Sequence, residues 1–234
     1  MKKTLMVSMV FALAILLSIG SVAFAQSSGN FSATVNTTKC LIDDNDGSLT
    51  GGIGTTILTT TIKTPESKWT ALLIRPSLVS GLFTKTRVTD TVDTATASAG
   101  LQVRVLLDGK VVAPGYPVGA EAVPGDDKGW VYYDKRWQQI NQNFLSILKK
   151  LAVAAGEITA EDTLYLELIL STLSAHSLDF VAGDVGGGTH NLVVEWKFED
   201  SDATGSNAAA CVGPAVVTVE QVKTFSTGGG IEIY

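Results

Sequence analysis

Ser174, His176 and Asp179 fall within the stretch STLSAHSLDF. These are the three side chains of a hydrolytic triad, in which histidine must stand between serine and acid. If the stretch is an extended strand, Ser174 and His176 point to one side and Asp179 to the other. Such a strand cannot place the imidazole between its two partners. The chain also contains no G-x-S-x-G nucleophile elbow. The expectation is a polar strand or bend with Leu173, Phe180 and Val181 buried, and no catalytic residue is assigned.

His176 and His190 flank the connection SLDFVAGDVGGGT. With Asp179 or Asp184 they could hold a metal, but two imidazoles specify one weakly. Hydrogen bonding within the fold is the simpler expectation for both. The acidic run IDDNDGSLTGG offers Asp43, Asp44 and Asp46, with Asn45, as hard oxygen donors for calcium. The calcium-loop pattern fails there, because counting back from Gly47 puts Ile42 at its first position and Ile53 at its last. An Asx-type turn is the simpler reading, and calcium stays the sole cofactor candidate. In GWVYYDKRW, Trp130 and Tyr132 could stack on sugar faces; the alternative is that these rings fill the core. Glu121, Asp134, Glu157, Glu161, Asp162 and Glu167 are the scattered carboxylates, and no glycosidase pair stands out among them.

These side chains need a frame. Lys2 and Lys3, an apolar run over residues 5–19, and Ala23-Phe24-Ala25 form the pattern of a bacterial signal peptide cut before Gln26. The expected organisation is a leader at 1–25 and one domain at 26–234. Cleavage removes two lysines and no acid, leaving 15 cationic against 23 acidic side chains, net −8. Such a chain repels phosphate backbones, which excludes nucleic acid as a partner. Export makes a disulfide between Cys40 and Cys211 plausible; with a loop of about 170 residues it would contribute about 4–5 kcal/mol on chain-entropy grounds.

Period-two alternation recurs through the mature chain. Leu101, Val103, Val105 and Leu107 share one face before the turn signal Asp108-Gly109. Leu192, Val194, Trp196 and Phe198 share another, and Leu164, Leu166, Leu168 and Leu170 a third. FSATVN, TTILTTTIK, ALLIRPSLV and AVVTVEQV read as further strands, with Pro76 marking an edge or a bend. TDTVDTATASAG (89–100) and DSDATGSNAAA (200–210) read as loops. Trp137, Ile140, Phe144, Ile147, Leu148 and Leu151 fall at helical spacing, which predicts one amphipathic helix over about 136–154, packed on the core and stopped at Gly156. The fold class is all-β: a jelly-roll-like or immunoglobulin-like β-sandwich with one packed amphipathic helix.

ILSTLSAHSLDFVAGDVGGGTHNLVVEWKF, VGPAVVTVEQVKTFS, LLIRPSLVSGLF and LQVRVLLDGKVVAPG together resemble a loose group of secreted bacterial β-sandwich proteins. The resemblance spans most of residues 70–227. It implies export and a sandwich, and transfers no activity and no site residue.

The function class favoured by these readings is an exported, non-enzymatic protein for extracellular surface association or ligand binding. Its place is secreted, periplasmic or on the cell surface, and it is not membrane-embedded once the leader is cut. A surface glycan or a protein is the expected partner. Of four rivals, an outer-membrane barrel, prompted by the terminal Tyr234, is opposed by the expected helix and the continuous apolar runs; the other three make distinct demands. A carbohydrate-binding module needs a flat strip of exposed Trp or Tyr. A secreted hydrolase needs a cleft with two converging carboxylates. A fibre subunit needs a terminal strand, SSGNFSATVN or GGGIEIY, that pairs with a neighbour's sheet edge.

Overall fold

The computed structural model describes residues 31–37, 39–42, 54–65, 70–89, 94–202 and 206–223. The elements run β1 (Phe31–Asn36), β2 (Lys39–Ile42), β3 (Thr55–Thr64), β4 (Thr70–Thr89), β5 (Thr94–Leu107), β6 (Lys110–Val111), β7 (Val131–Asn141), α1 (Gln142–Ala154), β8 (Tyr165–Ser177), β9 (Phe180–Val185), β10 (Gly188–Asp202) and β11 (Asn207–Lys223). They form two antiparallel sheets, and the sandwich expected from the alternation is present. One sheet has the order β1-β11-β4-β8, with β2 also on β11 and β9 also on β4. The other has the order β3-β10-β5-β6, with β7 also on β5.

The alternating faces meet as the pattern requires. Leu101, Val103, Val105 and Leu107 lie directly opposite Phe198, Trp196, Val194 and Leu192. These side chains face Leu72, Ile74, Leu78, Leu82 and Phe180 of the other sheet across one core. Each fully buried large side chain contributes about 1.5–3 kcal/mol relative to exposure. The Asp108-Gly109 turn has φ of 52° and 79°, the two left-handed residues of a type I′ hairpin. β8 and β9 form one kinked edge along β4, broken at Leu178 and Asp179. Pro76 sits on β4, an interior strand, beside that break: it is paired with Val217 of β11 and has no partner on β8 or β9.

Several expectations change. Residues 94–100 of the expected loop belong to β5, with Ala95, Ala97 and Ala99 fully buried; small side chains let the sheets approach there. The loop at 200–210 is shorter than expected, because β10 runs to Asp202 and β11 starts at Asn207. The helix begins at Gln142, where the side chain of Asn141 accepts the Asn143 N–H at 2.8 Å and caps it. Trp137 and Ile140 are on β7, whose long register on β5 overrides the helical spacing. Gly156, at φ 77°, ends the helix region as expected.

The seam between β7 and β4 is polar. Ser80 Oγ donates to Asp134 Oδ2 at 2.6 Å, and Thr84 Oγ1 donates to Gln138 Oε1 at 2.9 Å. Gln138 Nε2 donates to Thr86 Oγ1, and to the Leu168 carbonyl at 3.3 Å. Ser80, Thr84, Thr86 and Gln138 are all buried. Beyond this seam lies a small second cluster of Val88, Ala95, Ile140 and Leu145, with Leu164 and Leu166 against it.

Trp196 is buried, and its Nε1–H has no partner among the described residues. Trp196→Ala is expected to cost about 3–5 kcal/mol. Trp196→Phe deletes the orphan donor while keeping most of the ring, and is expected to cost about 1 kcal/mol or less. Urea midpoints at unchanged slope check the pair, and equal losses would contradict the assignment.

Candidate functional site

β8 gives Ser174 and His176 one parity, as the alternation requires, and ends at Ser177, so Asp179 lies in the break before β9. Asp179 is held by Arg75 through two hydrogen bonds, of 2.5 and 3.0 Å. The Arg75 hydrogen bond holds its carboxyl below the usual range. His176 meets the Tyr133 ring edge-on and lies 3.4 Å from Asp134 Oδ2. The same oxygen takes the Ser80 hydroxyl. A serine, an aspartate and a histidine therefore do meet, but with the acid in the middle. Ser80 donates straight to the carboxylate and is fully buried, so the histidine does not stand between serine and acid as a triad requires. Leu173 was expected inside and is 79% exposed.

His190 sits on β10 of the other sheet, so the two histidines do not converge. Its Nδ1 is 2.7 Å from Asp108 Oδ2, and its Nε2 is 2.9 Å from the Gly186 carbonyl and 3.1 Å from Thr64 Oγ1. Asp108, His190 and Thr64 have the connectivity of a triad, but Thr64 Oγ1 donates to Gly186 O at 2.5 Å. The Gly186 carbonyl only accepts, so the charged ring donates to it from Nε2 and to Asp108 from Nδ1. Burial opposes its charge, but the hydrogen bonds to Asp108 and Gly186 outweigh it and raise its pKa. For Asp108 burial again opposes the charge, and bonds from His190 and the Asn191 N–H overcome it and lower the pKa. The cluster is a clamp between the β5–β6 turn and β10. It borders an open cleft of about 420 Å³ lined by Val111, Val112, Val118, Val181, Lys110 and Asp184, among others.

Trp130 is half-buried rather than presented. The Arg104 guanidinium lies 4.5 Å from its ring centroid, Lys197 Nζ 5.0 Å, and its Nε1 donates to Asp126 O at 3.0 Å. Arg104, 1% exposed, bonds Glu195 at 2.6 Å and Asp126, and pins the connection between β6 and β7 over the sheet. Sequence reasoning missed this cation. The available signal was an arginine inside the alternating run LQVRVLL. Tyr132 is exposed, with Lys135 Nζ 3.1 Å from its hydroxyl and 4.5 Å from its ring centroid. Glu167 pairs with Lys85 at 2.9 Å. Asp162 caps Thr159, at 2.7 Å from its N–H. Among the described residues no three His, Cys, Asp or Glu side chains gather as a metal set. Asp43, Asp44 and Asp46 lie outside the described residues. Cys40 and Cys211 are opposite each other in the β2–β11 register.

The surface that differs from all of these is apolar. Leu145 is the buried residue of α1, and Gln142, Ser146, Lys149 and Ala152 are half-buried beside it. The expected core stripe points outward: Phe144 is 56% exposed, Ile147 54%, Leu148 39% and Leu151 63%. The expected inner face of β8 is also open, with Leu168 and Leu170 exposed, as is Ile169 on the other face. The helix is amphipathic but seated by its poorer face, because the polar seam under β7 leaves it only the small pocket that Leu145 fills. No helix among the described residues is long and apolar enough to cross a membrane.

The His190 clamp sets a pH dependence. Its folded pKa is above the unfolded value of about 6.5, so its stabilisation is full below that pH and is lost as pH rises through the folded pKa. The urea midpoint of the wild type is expected to fall from about pH 6 to about pH 9. His190→Gln should flatten that fall, and an unchanged profile would remove His190 as its source.

No protein-family model matches the chain, and no curated protein matches it. Among solved structures, a CocE/NonD family hydrolase from Staphylococcus aureus is 12% identical at a TM-score of 0.23, over 87% of this chain and 38% of that one. A human norovirus GI.7 virus-like particle is 8% identical at 0.20, over 88% and 37%. The Eiger TNF of S. frugiperda is 10% identical at 0.18, over 86% and 96%. Likenesses this weak carry no argument about function.

Proposed function

We propose that this chain is an exported, non-enzymatic bacterial surface protein that works by associating with a protein partner through α1 and β8. One observation carries the reading: the apolar stripe of the helix faces solvent, and Leu168, Ile169, Leu170 and Leu173 of edge strand β8 are exposed as well. Exposed apolar surface of this extent marks an interaction site. An open edge strand offers a row of backbone donors and acceptors, which a protein strand can satisfy and lipid cannot. The leader pattern at 1–25 and the resemblance to secreted sandwich proteins support export. The Cys40–Cys211 register supports a disulfide, since directly opposed residues lie about 4.5–5.5 Å apart at Cα, within disulfide reach. Against an enzyme stands the arrangement of these candidates: the Ser80 and Thr64 hydroxyls donate to Asp134 and to the Gly186 carbonyl, not to a histidine ring, and Asp179, Asp134 and Glu167 each have a partner already.

Expression in a bacterial host with the chain's own leader tests this. The product is expected to begin at Gln26, to take up thiol reagent only after reduction, and to stay with the cells. Leu148→Lys with Leu151→Lys keeps good helix formers on the exposed face and is expected to release the protein into the medium without changing its urea midpoint. Retention in the cytoplasm, or identical partition of the variant, would overturn the proposal.

A second reading rests on Trp137, which is 62% exposed on the outer face of β7 together with Tyr132. This is the aromatic strip a carbohydrate-binding module needs. Under this reading an insoluble polysaccharide retains the wild type and not Trp137→Ala; equal elution of both from a panel of such polysaccharides would discard it.

A further inference from the structure

We infer that the partner is a second copy of this chain, paired antiparallel along β8 about a twofold axis at Ser171. This rests on reading β8 and α1 as an association surface. Edge strands are normally guarded by shortness, charge, proline or cover. The other edges here follow that rule. β1 and β2 are short and separated at Thr37. β3 carries Lys63, and β7 carries Asp134, Lys135 and Arg136. β9 is covered by a bridge in which Val181 N–H donates to the Ala113 carbonyl at 2.8 Å. β8 runs for 13 residues with no proline, lysine or arginine. Its single acid, Glu167, is held by Lys85. Among the described residues β4 is its one strand neighbour.

A twofold interface must be self-complementary, and β8 meets that condition in one register. With the axis at Ser171, all 13 residues overlap. Ile169 then lies opposite Leu173, twice, on the outer face. Leu168 meets Ser174, Leu170 meets Thr172, and Glu167 meets Ala175, so no like charges oppose. Moving the axis to Leu170 sets Glu167 against Leu173. Moving it to Thr172 sets Ile169 against Ala175 and leaves Leu173 beside Ser171. The carbonyls of Leu168 and His176 each take one side-chain donor, from Gln138 at 3.3 Å and Tyr133 at 3.2 Å, and keep a second lone pair.

Area brings in the helix. A strand of this length is about 43 Å long and about 10 Å thick, so edge pairing covers about 430 Å² per copy. A standard interface covers about 800 Å² per partner. α1 sits at the Tyr165 end of β8, where Leu145 and Leu166 share a cluster. The twofold therefore sets each helix toward the far end of the partner's β8, where its outward stripe supplies the remainder.

Light scattering on oxidised residues 26–234 is expected to give the mass of a dimer. Ser171→Cys is expected to cross-link as a disulfide-bonded dimer under mild oxidation, because the two positions face each other within disulfide reach. Ser177→Cys, opposite Tyr165 in this register, is expected not to. Ile169→Lys with Leu173→Lys sets lysine against lysine and is expected to weaken the dimer roughly tenfold or more. If that variant fails to fold, the two cysteine variants still decide the register. A dimer whose Ser171→Cys form does not cross-link overturns the inference, and so does an assembly lost on deleting residues 228–234. A monomer at every concentration overturns it too. If that monomer still stays with the cells, the association reading stands with another partner; if it does not, both fall.

Discussion

The seam of hydrogen bonds between β4 and β7 decides the shape of one side of this molecule. Ser80, Thr84 and Thr86 occupy core-facing positions on β4, and Asp134 and Gln138 meet them. A buried polar group left without a partner costs about 1–3 kcal/mol, so once these residues are inside they must face one another. The sheets are therefore joined here by polar contacts in place of side chains that could grow into a larger core. The connection from β7 to β8 has little apolar volume to enter. Leu145 fills what there is, and the stripe from Phe144 to Leu151 is left outside. The exposed apolar side is thus a consequence of the buried polar one.

The opposite behaviour of β9 supports this. β9 continues the same edge as β8, yet Phe180 is fully buried and Val181 is bridged to Ala113. There the facing residues include Val112 and Leu107 of the β5–β6 region, and the apolar core reaches the edge. Along one continuous edge of the sheet, apolar facing residues close the sandwich and polar ones leave it open. The clamp of Asp108, His190 and Thr64 anchors the closed end. It uses the histidine to tie the β5–β6 turn to β10.

The sequence reads well where period and partner are both apolar. The faces of β5 and β10 meet residue for residue, and Asp108-Gly109 turns as its residue types demand. It reads poorly in three physical situations. Trp137 and Ile140 satisfy a helical spacing, yet Asn141 caps the helix after them, because ten residues of pairing to β5 outweigh a local period. Ala95, Ala97 and Ala99 look like loop residues by composition, whereas close packing wants small side chains at that point. Arg104 alternates with valines on β5 and looks like a solvent-facing residue. It is buried because a distant segment, carrying Asp126, folds over it.

The candidate site belongs to a fourth situation. Periodicity shows that a helix has an apolar stripe, but not which body covers it. For α1 the stripe was legible and its cover was assigned to this chain's own core. The half-buried set of Gln142, Ser146, Lys149 and Ala152 shows the opposite seating. A helix turned this way loses roughly 1.5–3 kcal/mol for each large apolar side chain it leaves in water. The four residues of the stripe are partly exposed, so each loses only a share of that figure. A surface that removed them from water would recover it. The polar seam that keeps the stripe out of the core is thereby also the feature that leaves the surface on which the proposed association rests.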